Sequence, residues 1–96
     1  MALQIFATGI NITTGADSVG ATIPLRLDGT VPLFVRITAS VAACVRVGIG
    51  AQTAVATDAV VQPGEALIIS TGKCTHIAAI QQAAAGTVQI SPCEDI

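Results

Sequence analysis

Apolar and polar residues alternate along most of this chain in short segments, and Gly, Pro, Asp or Asn separates one segment from the next. Alternation with a period of two among β-branched residues indicates half-buried strands. Helical periodicity is missing, because Gly86 ends the Ala-rich run QQAAAG after about one turn, too short for a stable helix. The pattern predicts strands at residues 3–8, 23–27, 33–38, 43–48, 66–70, 75–80 and 87–91, with residues 10–13 continuing the first strand after Gly9. Residues 48–59 are predicted to form a long loop or a loop with a short strand, and Val60-Val61 leads from it into the next turn.

Turn signals between these segments support the same interpretation. Asp28-Gly29 predicts a tight turn, and Pro63-Gly64 fits the central positions of a type II turn. Residues 13–21 are typical of a loop, and Pro24 indicates an edge strand or a strand start. Seven or eight short strands spaced by roughly ten residues predict an all-β fold, an antiparallel β-sandwich of jelly-roll-like form. We expect one domain over residues 1–96, with residues 1–13 as an edge strand or an N-terminal arm that pairs with a neighbouring subunit.

The segments at 33–38 and 43–48 are predicted to form a hairpin, because facing their alternate apolar residues places them all on one side. That register puts Arg36 directly opposite Arg46 on the other side, where like charges repel. One interpretation is that each arginine extends into water or binds a carboxylate of Asp28, Asp58 or Glu65. The other is that Arg36 and Arg46 mark a docking face for an acidic patch on a partner protein.

A second hairpin is predicted from residues 74–93, in the register that places Cys74 opposite Cys93 and His76 opposite Ser91. The stretch GKCTH then allows four interpretations. Cys74 and His76 could act as nucleophile and base, although strand geometry keeps their side chains apart. A metal site lacks a fourth ligand and matches no standard zinc spacing. A cross-strand disulfide of Cys74 with Cys93 is compatible with the register, and an ordinary turn leading into a strand is the simplest interpretation.

Composition argues against most functions that need concentrated chemistry. The net charge is −2, with three scattered arginines, one lysine and two aromatic rings, so we expect no nucleic-acid binding. No apolar run approaches the roughly 20 residues of a membrane span, and the N-terminus lacks the pattern of a signal peptide, so we expect no membrane association.

No Walker A, dinucleotide-binding or GxSxG motif is present, and general acids and bases are few. We therefore expect no enzyme activity, no cofactor and no metal. A core this poor in rings should gain stability from self-association.

Residues 35–94 resemble a class of small virion proteins encoded among the assembly genes of tailed bacteriophages. The matching positions are Val35-Arg36-Ile37, Val45-Arg46-Val47, Gly48, Gly50, Pro63-Gly64-Glu65, His76-Ile77-Ala78-Ala79-Ile80 and Gly86-Thr87-Val88. The first thirty residues have no such resemblance.

The resemblance implies a short β-sandwich that decorates or cements a capsid, made in the host cytoplasm and located in the virion. Its partner would be the major capsid protein or another virion protein, and it would form a homo-oligomer, with a trimer among the alternatives. Two other roles stay open. One is a neck or tail adaptor, and the other is a receptor-binding module of a head or tail fibre, which the scarcity of rings for sugar stacking disfavours.

Overall fold

A computed structural model of the chain describes residues 3–5, 8–27 and 29–95, and within them it contains β-strands and no helix. The strands are β1 (Leu3–Ile5), β2 (Ile10–Thr13), β3 (Val19–Thr22), β4 (Phe34–Ala39), β5 (Ala43–Gly48), β6 (Ala59–Val61), β7 (Ala66–Ser70), β8 (His76–Gln81) and β9 (Thr87–Asp95). The predicted all-β class is confirmed.

The strands form two antiparallel sheets that pack face to face as a β-sandwich. In the first sheet the order is β1-β9-β4-β7, and β2 also pairs with β9. Because β1 and β2 lie on the same edge of β9, this sheet is four strands wide. In the second sheet the order is β3-β8-β5-β6.

The pairing is nested, with early strands bound to late ones. The pairs are β2 with β9, β3 with β8, β4 with β7 and β5 with β6. Among these strands, only β5 and β6 are both consecutive and hydrogen-bonded, so the chain changes sheet at every other connection from β2 to β9. Both predicted hairpins are therefore wrong: β4 and β5 lie in different sheets, and so do β8 and β9. Alternation determines which side chains face inward, but it does not determine which strand becomes the partner.

The core consists of the inward-facing aliphatic residues of both sheets. Val35, Ile37, Ile77, Val88 and Ile90 are fully buried. They form one cluster, with no tryptophan or tyrosine available to it. These buried residues occupy the alternate strand positions that the apolar pattern predicted to face the core.

One predicted strand is wrong, and a predicted loop contains a strand in its place. Residues 23–27 and 29–33 lie in a long connection and form no strand, whereas Val19–Thr22 is β3, a short strand on the edge of β8. Pro24 has no N–H for a ladder, so this segment is a poor strand. Ile23 is nevertheless buried, and its N–H donates to the carbonyl of Thr75 at 2.9 Å.

Most other element boundaries agree with the pattern. The segments at 43–48 and 66–70 coincide with β5 and β7. Gly64 has a φ of 84°, and the Glu65 N–H donates to the Gln62 carbonyl at 3.2 Å, as the predicted turn requires. Gly29 also has positive φ, while its predicted turn partner Asp28 lies outside the described residues.

The last strand is longer than predicted and passes through a proline. β9 continues to Asp95. Pro92 lies where the edge of β9 changes from β2 to β1, because Ile90 is the last residue paired with β2 and Cys93 the first paired with β1. A residue without an N–H is tolerated where a ladder is interrupted.

Candidate functional site

Three connections lie together at one end of the sandwich, which we call the loop end. They are the β3–β4 connection (described at residues 23–27 and 29–33), the β5–β6 connection (49–58) and the short β7–β8 connection (71–75). Their strands end side by side, since Phe34 is opposite Ser70, and both Thr22 and Gly48 are opposite His76. Antiparallel pairing therefore brings these connections to the same end.

Two threonines of the 71–75 connection bind the other two connections of the loop end. The buried Thr71 donates its N–H to the Leu33 carbonyl at 3.0 Å, and its hydroxyl donates to the Pro32 carbonyl. Thr75 donates its N–H to the Gly48 carbonyl at 2.9 Å, and its hydroxyl accepts the Gly50 N–H at 3.1 Å. Buried backbone groups cost free energy unless they are paired, so these bonds hold the connections in place.

The loop end exposes large aliphatic side chains. Leu27, Ile49, Leu33 and Leu25 are 87%, 72%, 57% and 40% exposed. We call these four residues the apolar loop surface. Exposed apolar residues grouped in one region of a soluble protein indicate an interaction site more often than single scattered ones do. The apolar pattern did not predict this surface, because it assigned residues 23–27 to a strand. Leu and Ile residues next to Gly and Pro were a partial signal, but nothing in the sequence placed these distant segments together.

The 49–58 connection folds back over the outer face of the second sheet. Ala54 is buried, and its N–H donates to the Ser18 hydroxyl at 2.8 Å. Cys44 and Ala78 are fully buried although their alternation directs them outward. The Cys44 thiol lies 3.6 Å from the Ala56 carbonyl oxygen, and a Cβ at Gly20, which is paired with Ala78, would lie 3.4 Å from the Gln52 carbonyl oxygen, so this connection passes over both. Small residues allow this close approach, since a Cβ at Gly48 would lie 2.3 Å from the Gln52 side chain.

Arg46 and Asp58 hold the far end of this connection. Arg46 donates from Nε and from an η nitrogen to one oxygen of Asp58, at 3.2 and 3.0 Å. The other oxygen of Asp58 accepts the Val55 N–H at 2.8 Å. The Val55 N–H first, and Arg46 second, lower the pKa of the Asp58 carboxyl below its ordinary value, against an opposing effect of desolvation.

The structure separates the two arginines that the sequence placed opposite each other. Arg46 lies on the second sheet, whereas Arg36 lies on the first sheet between Ile68 and Ser91. Their predicted opposition is wrong, because β4 and β5 do not pair. The alternative in which an arginine binds Asp58 is confirmed for Arg46.

His76 lines a pocket of about 390 Å³ on the outer face of the second sheet. The other lining residues are Gly20, Ala21, Thr22, Ala51 and Gln52. His76 Nδ1 lies 2.8 Å from the Thr75 hydroxyl. When that hydroxyl donates a hydrogen bond to Nδ1, the ring N–H is on Nε2. The pocket then offers a histidine donor, an amide and a hydroxyl, a set that can hold a small polar molecule by hydrogen bonds.

The cysteines are not brought together. Cys44, Cys74 and Cys93 are free thiols. Cys93 lies on the first sheet opposite Phe34, whereas Cys74 lies in the 71–75 connection and packs against the core. The register that placed Cys74 opposite Cys93 and His76 opposite Ser91 is therefore wrong. Burial raises the pKa of the Cys93 thiol, an effect that the charge of Arg36 partly opposes, and a raised pKa disfavours the thiolate, which is the reactive form.

The stretch GKCTH is a turn that leads into a strand. Gly72 has positive φ, the Cys74 N–H donates to the Thr71 carbonyl at 2.9 Å, and β8 begins at His76. Because Cys74 packs inward and His76 lines an outer pocket, the two do not form a nucleophile and its base. Across the part of the chain that the structure describes, no three His, Cys, Asp or Glu side chains group as metal ligands.

Within the same described ranges, no helix could cross a membrane. Comparison of the chain with protein-family models, with curated proteins and with solved structures finds no match.

Proposed function

We propose that this protein is a non-enzymatic structural subunit of a tailed-bacteriophage virion, a capsid decoration protein that binds the outer surface of the head. The observation that carries the proposal is the apolar loop surface at one end of a small β-sandwich. The resemblance of residues 35–94 to small phage virion proteins supports the same role.

The nested strand pairing supports the proposal at the level of architecture. We interpret the two strand orders as a jelly roll, in which a long antiparallel ribbon is rolled into two sheets. Jelly rolls occur in viral capsid proteins, and also in lectin domains and cupins. The architecture therefore favours a binding role or an assembly role. The apolar loop surface is the feature that favours assembly over binding of a small ligand.

The energetics favour several subunits acting together. Fully burying one exposed Leu or Ile contributes about 1.5–3 kcal/mol. The four residues together expose the equivalent of about two and a half such side chains, so covering the apolar loop surface contributes on the order of 4–8 kcal/mol. Association costs an estimated 4–15 kcal/mol in lost translational and rotational freedom, about as much as this gain or more. A single subunit would therefore bind weakly, and linked copies on a repetitive lattice would bind far more tightly through avidity.

A second role is favoured by a different observation. The pocket beside His76 suits a small polar ligand, which fits a receptor-binding module of a head or tail fibre. A neck or tail adaptor would use the same apolar loop surface as a decoration protein, but it would be present as a single ring of copies.

The test is binding of the purified protein to phage heads assembled without it. Replacing Leu27 and Ile49 together by Asp puts two charges into the proposed interface, and we expect binding to fall at least about a hundredfold. Thr53→Asp adds a charge to an exposed polar position of the same 49–58 connection, and it should leave binding unchanged.

Three results would contradict the proposal. One is undiminished binding by the double variant, and another is equal loss in the Thr53→Asp control. The third is absence of the chain from purified particles. Copy number separates the remaining roles, because a decoration protein is present in numbers comparable to the capsid subunits.

A further inference from the structure

The edge of the first sheet formed by β7 differs from the other sheet edges that the structure describes. β7 reads ALIIS, five residues without charge, proline or glycine, and it pairs only with β4. Natural proteins protect edge strands by making them short, by interrupting them, or by adding charges, prolines or bulges. The three other edges have such features: β6 has three residues, the β1–β2 edge is interrupted, and β3 has four residues and is flanked by the 49–58 connection, whose Ala54 N–H donates to the Ser18 hydroxyl.

Side-chain burial shows that the β7 edge lacks lateral cover. Leu67 and Ile69 face the core but are only half-buried, whereas Val35 and Ile37 of the neighbouring β4 are fully buried. On the outer face, Ile68 is 46% exposed. A further strand beside β7 would cover both faces and pair its free backbone groups.

We propose that β7 pairs with β7 of a second copy of this chain, antiparallel and about a two-fold axis at Ile68, so that the two first sheets form one continuous sheet. In this register Leu67 faces Ile69 of the other copy, Ile68 faces Ile68, and Ala66 faces Ser70. All five residues pair, and each side chain keeps its face of the sheet.

Charge at the two ends of β7 selects the antiparallel arrangement. Glu65 precedes the strand and Lys73 follows it, and both are exposed. In this antiparallel register Glu65 of one copy lies opposite Thr71 of the other, two residues before Lys73, whereas parallel pairing would place Glu65 beside Glu65 and Lys73 beside Lys73. Arg36 lies one strand inside β7, so the two copies of Arg36 are separated by three strand spacings, about 14 Å. That exceeds the screening length of about 8 Å at physiological salt, so their repulsion is weak.

This self-pairing deepens the proposed function, because a dimer doubles the number of apolar loop surfaces, and it rests on that function for its role in a particle. The pairing itself is tested without particles. Sedimentation equilibrium of the whole chain over a range of concentrations should show a monomer–dimer equilibrium.

Substitution at the axis provides the first test. Ile68→Lys places two like charges directly opposite each other and should weaken the dimer about tenfold or more. Val19→Lys makes the same change at an exposed apolar residue of β3, an edge of the other sheet, and should not weaken it. Glu65→Lys should also weaken the dimer, and adding Lys73→Glu to it should restore association.

Cross-linking provides a test of register that does not depend on affinity. Directly opposed residues of antiparallel strands have Cα atoms about 4.5–5.5 Å apart, which suits a disulfide. With Cys74 replaced by Ser, Ile68→Cys should give a covalent dimer on mild oxidation, and Val19→Cys should not.

A chain that stays monomeric at all concentrations and does not cross-link through position 68 would overturn the proposal. A dimer unaffected by Ile68→Lys would also overturn it, because the interface would lie elsewhere. Higher assemblies that depend on Leu27 and Ile49 but not on Ile68 would overturn it too, because self-association would then occur through the apolar loop surface.

If monomeric Ile68→Lys still binds heads, at lower avidity, the self-pairing is supported and the proposed function stands. If wild-type dimers form and bind no heads, only the proposed function fails.

Discussion

Three glycines in different surroundings make a graded test of how closely the chain packs on itself. Gly9, Gly15 and Gly48 all have φ values that alanine can adopt, so adding a methyl group measures space and not backbone strain. A Cβ at Gly9 would lie 2.4 Å from the Ile90 carbonyl oxygen, whereas a Cβ at Gly15 would have nothing within 4 Å.

The obstruction at Gly9 is backbone, and the expected cost follows from that. Ile90 belongs to β9, which is hydrogen-bonded on both sides, so its carbonyl cannot easily move the approximately 1 Å needed for ordinary contact. Overpacking of this kind costs about 1–3 kcal/mol. We expect Gly9→Ala to lower the free energy of unfolding by that amount.

At Gly48 the obstruction is the end of a flexible side chain. Gln52 can rotate away, giving up its 3.3 Å hydrogen bonds to the Ile49 and Gly50 carbonyls. Both bonds are at least partly open to water, so each contributes near the lower end of the usual range of about 0.5–1.5 kcal/mol, or about 1 kcal/mol together. Alanine recovers about 0.5–1 kcal/mol because glycine is unfavourable in a strand. Gly48→Ala should therefore change stability by less than about 1 kcal/mol. Gly15→Ala should stabilise the fold by about 0.4–1 kcal/mol by restricting the unfolded chain.

Urea unfolding followed by far-UV circular dichroism gives the three values by linear extrapolation, at one low protein concentration so that self-association affects the three variants equally. With a slope of about 1–3 kcal/mol per molar urea, a loss of about 2 kcal/mol shifts the midpoint by roughly 1 M. If Gly9→Ala is no less stable than Gly48→Ala, the close approach of residue 9 to β9 does not constrain the fold, and the reasoning fails.

Two further predictions concern the titratable groups. The pKa of Asp58 is lowered in the folded state, so its contribution to stability is complete above its ordinary value of 3.8 and is lost as the pH falls through the folded pKa. The stability difference between wild type and Asp58→Asn, measured by thermal unfolding, should therefore be constant near neutral pH and shrink below pH 3.8. The exposed Asp17→Asn serves as the charge-matched control. A stability difference that grows on acidification would show the sign to be wrong. Iodoacetamide labelling followed by mass spectrometry should modify the half-buried Cys74 first in the folded protein, and Cys44 and Cys93 only on unfolding; rapid labelling of Cys93 would contradict its buried, protonated state.

The two incorrect hairpins show where reasoning from the sequence ends. Val35 and Ile37 of β4 and Val45 of β5 do face the same core, as their alternation predicted. They reach it from opposite sheets, because the 40–42 connection crosses the sandwich where a hairpin turn was expected. In-or-out placement is a local property with a period of two, whereas strand partnership depends on contacts between distant segments.

Candidate sites follow the same division. The ordinary interpretation of GKCTH could be made from its Gly and its β-branched surroundings. The apolar loop surface could not, because Leu27 and Ile49 are far apart in the chain and only the crossing connections bring their segments to the same end. The cover that the 49–58 connection provides for Cys44 and Ala78 was equally hidden, since nothing local reveals which loop will fold back over a sheet.

The amino-acid sequence by itself determined that this chain is all-β, where most of its strands begin and end, and which of their side chains face inward. These properties depend on residues close together in the chain, namely alternation, turn residues and the lack of helical periodicity. Only the tertiary structure decided the nested pairing, the ion pair of Arg46 with Asp58, the uncovered β7 edge and the end at which apolar residues stay exposed. Each of these depends on which distant segments pack together, and that choice is made by the free energy of the whole core.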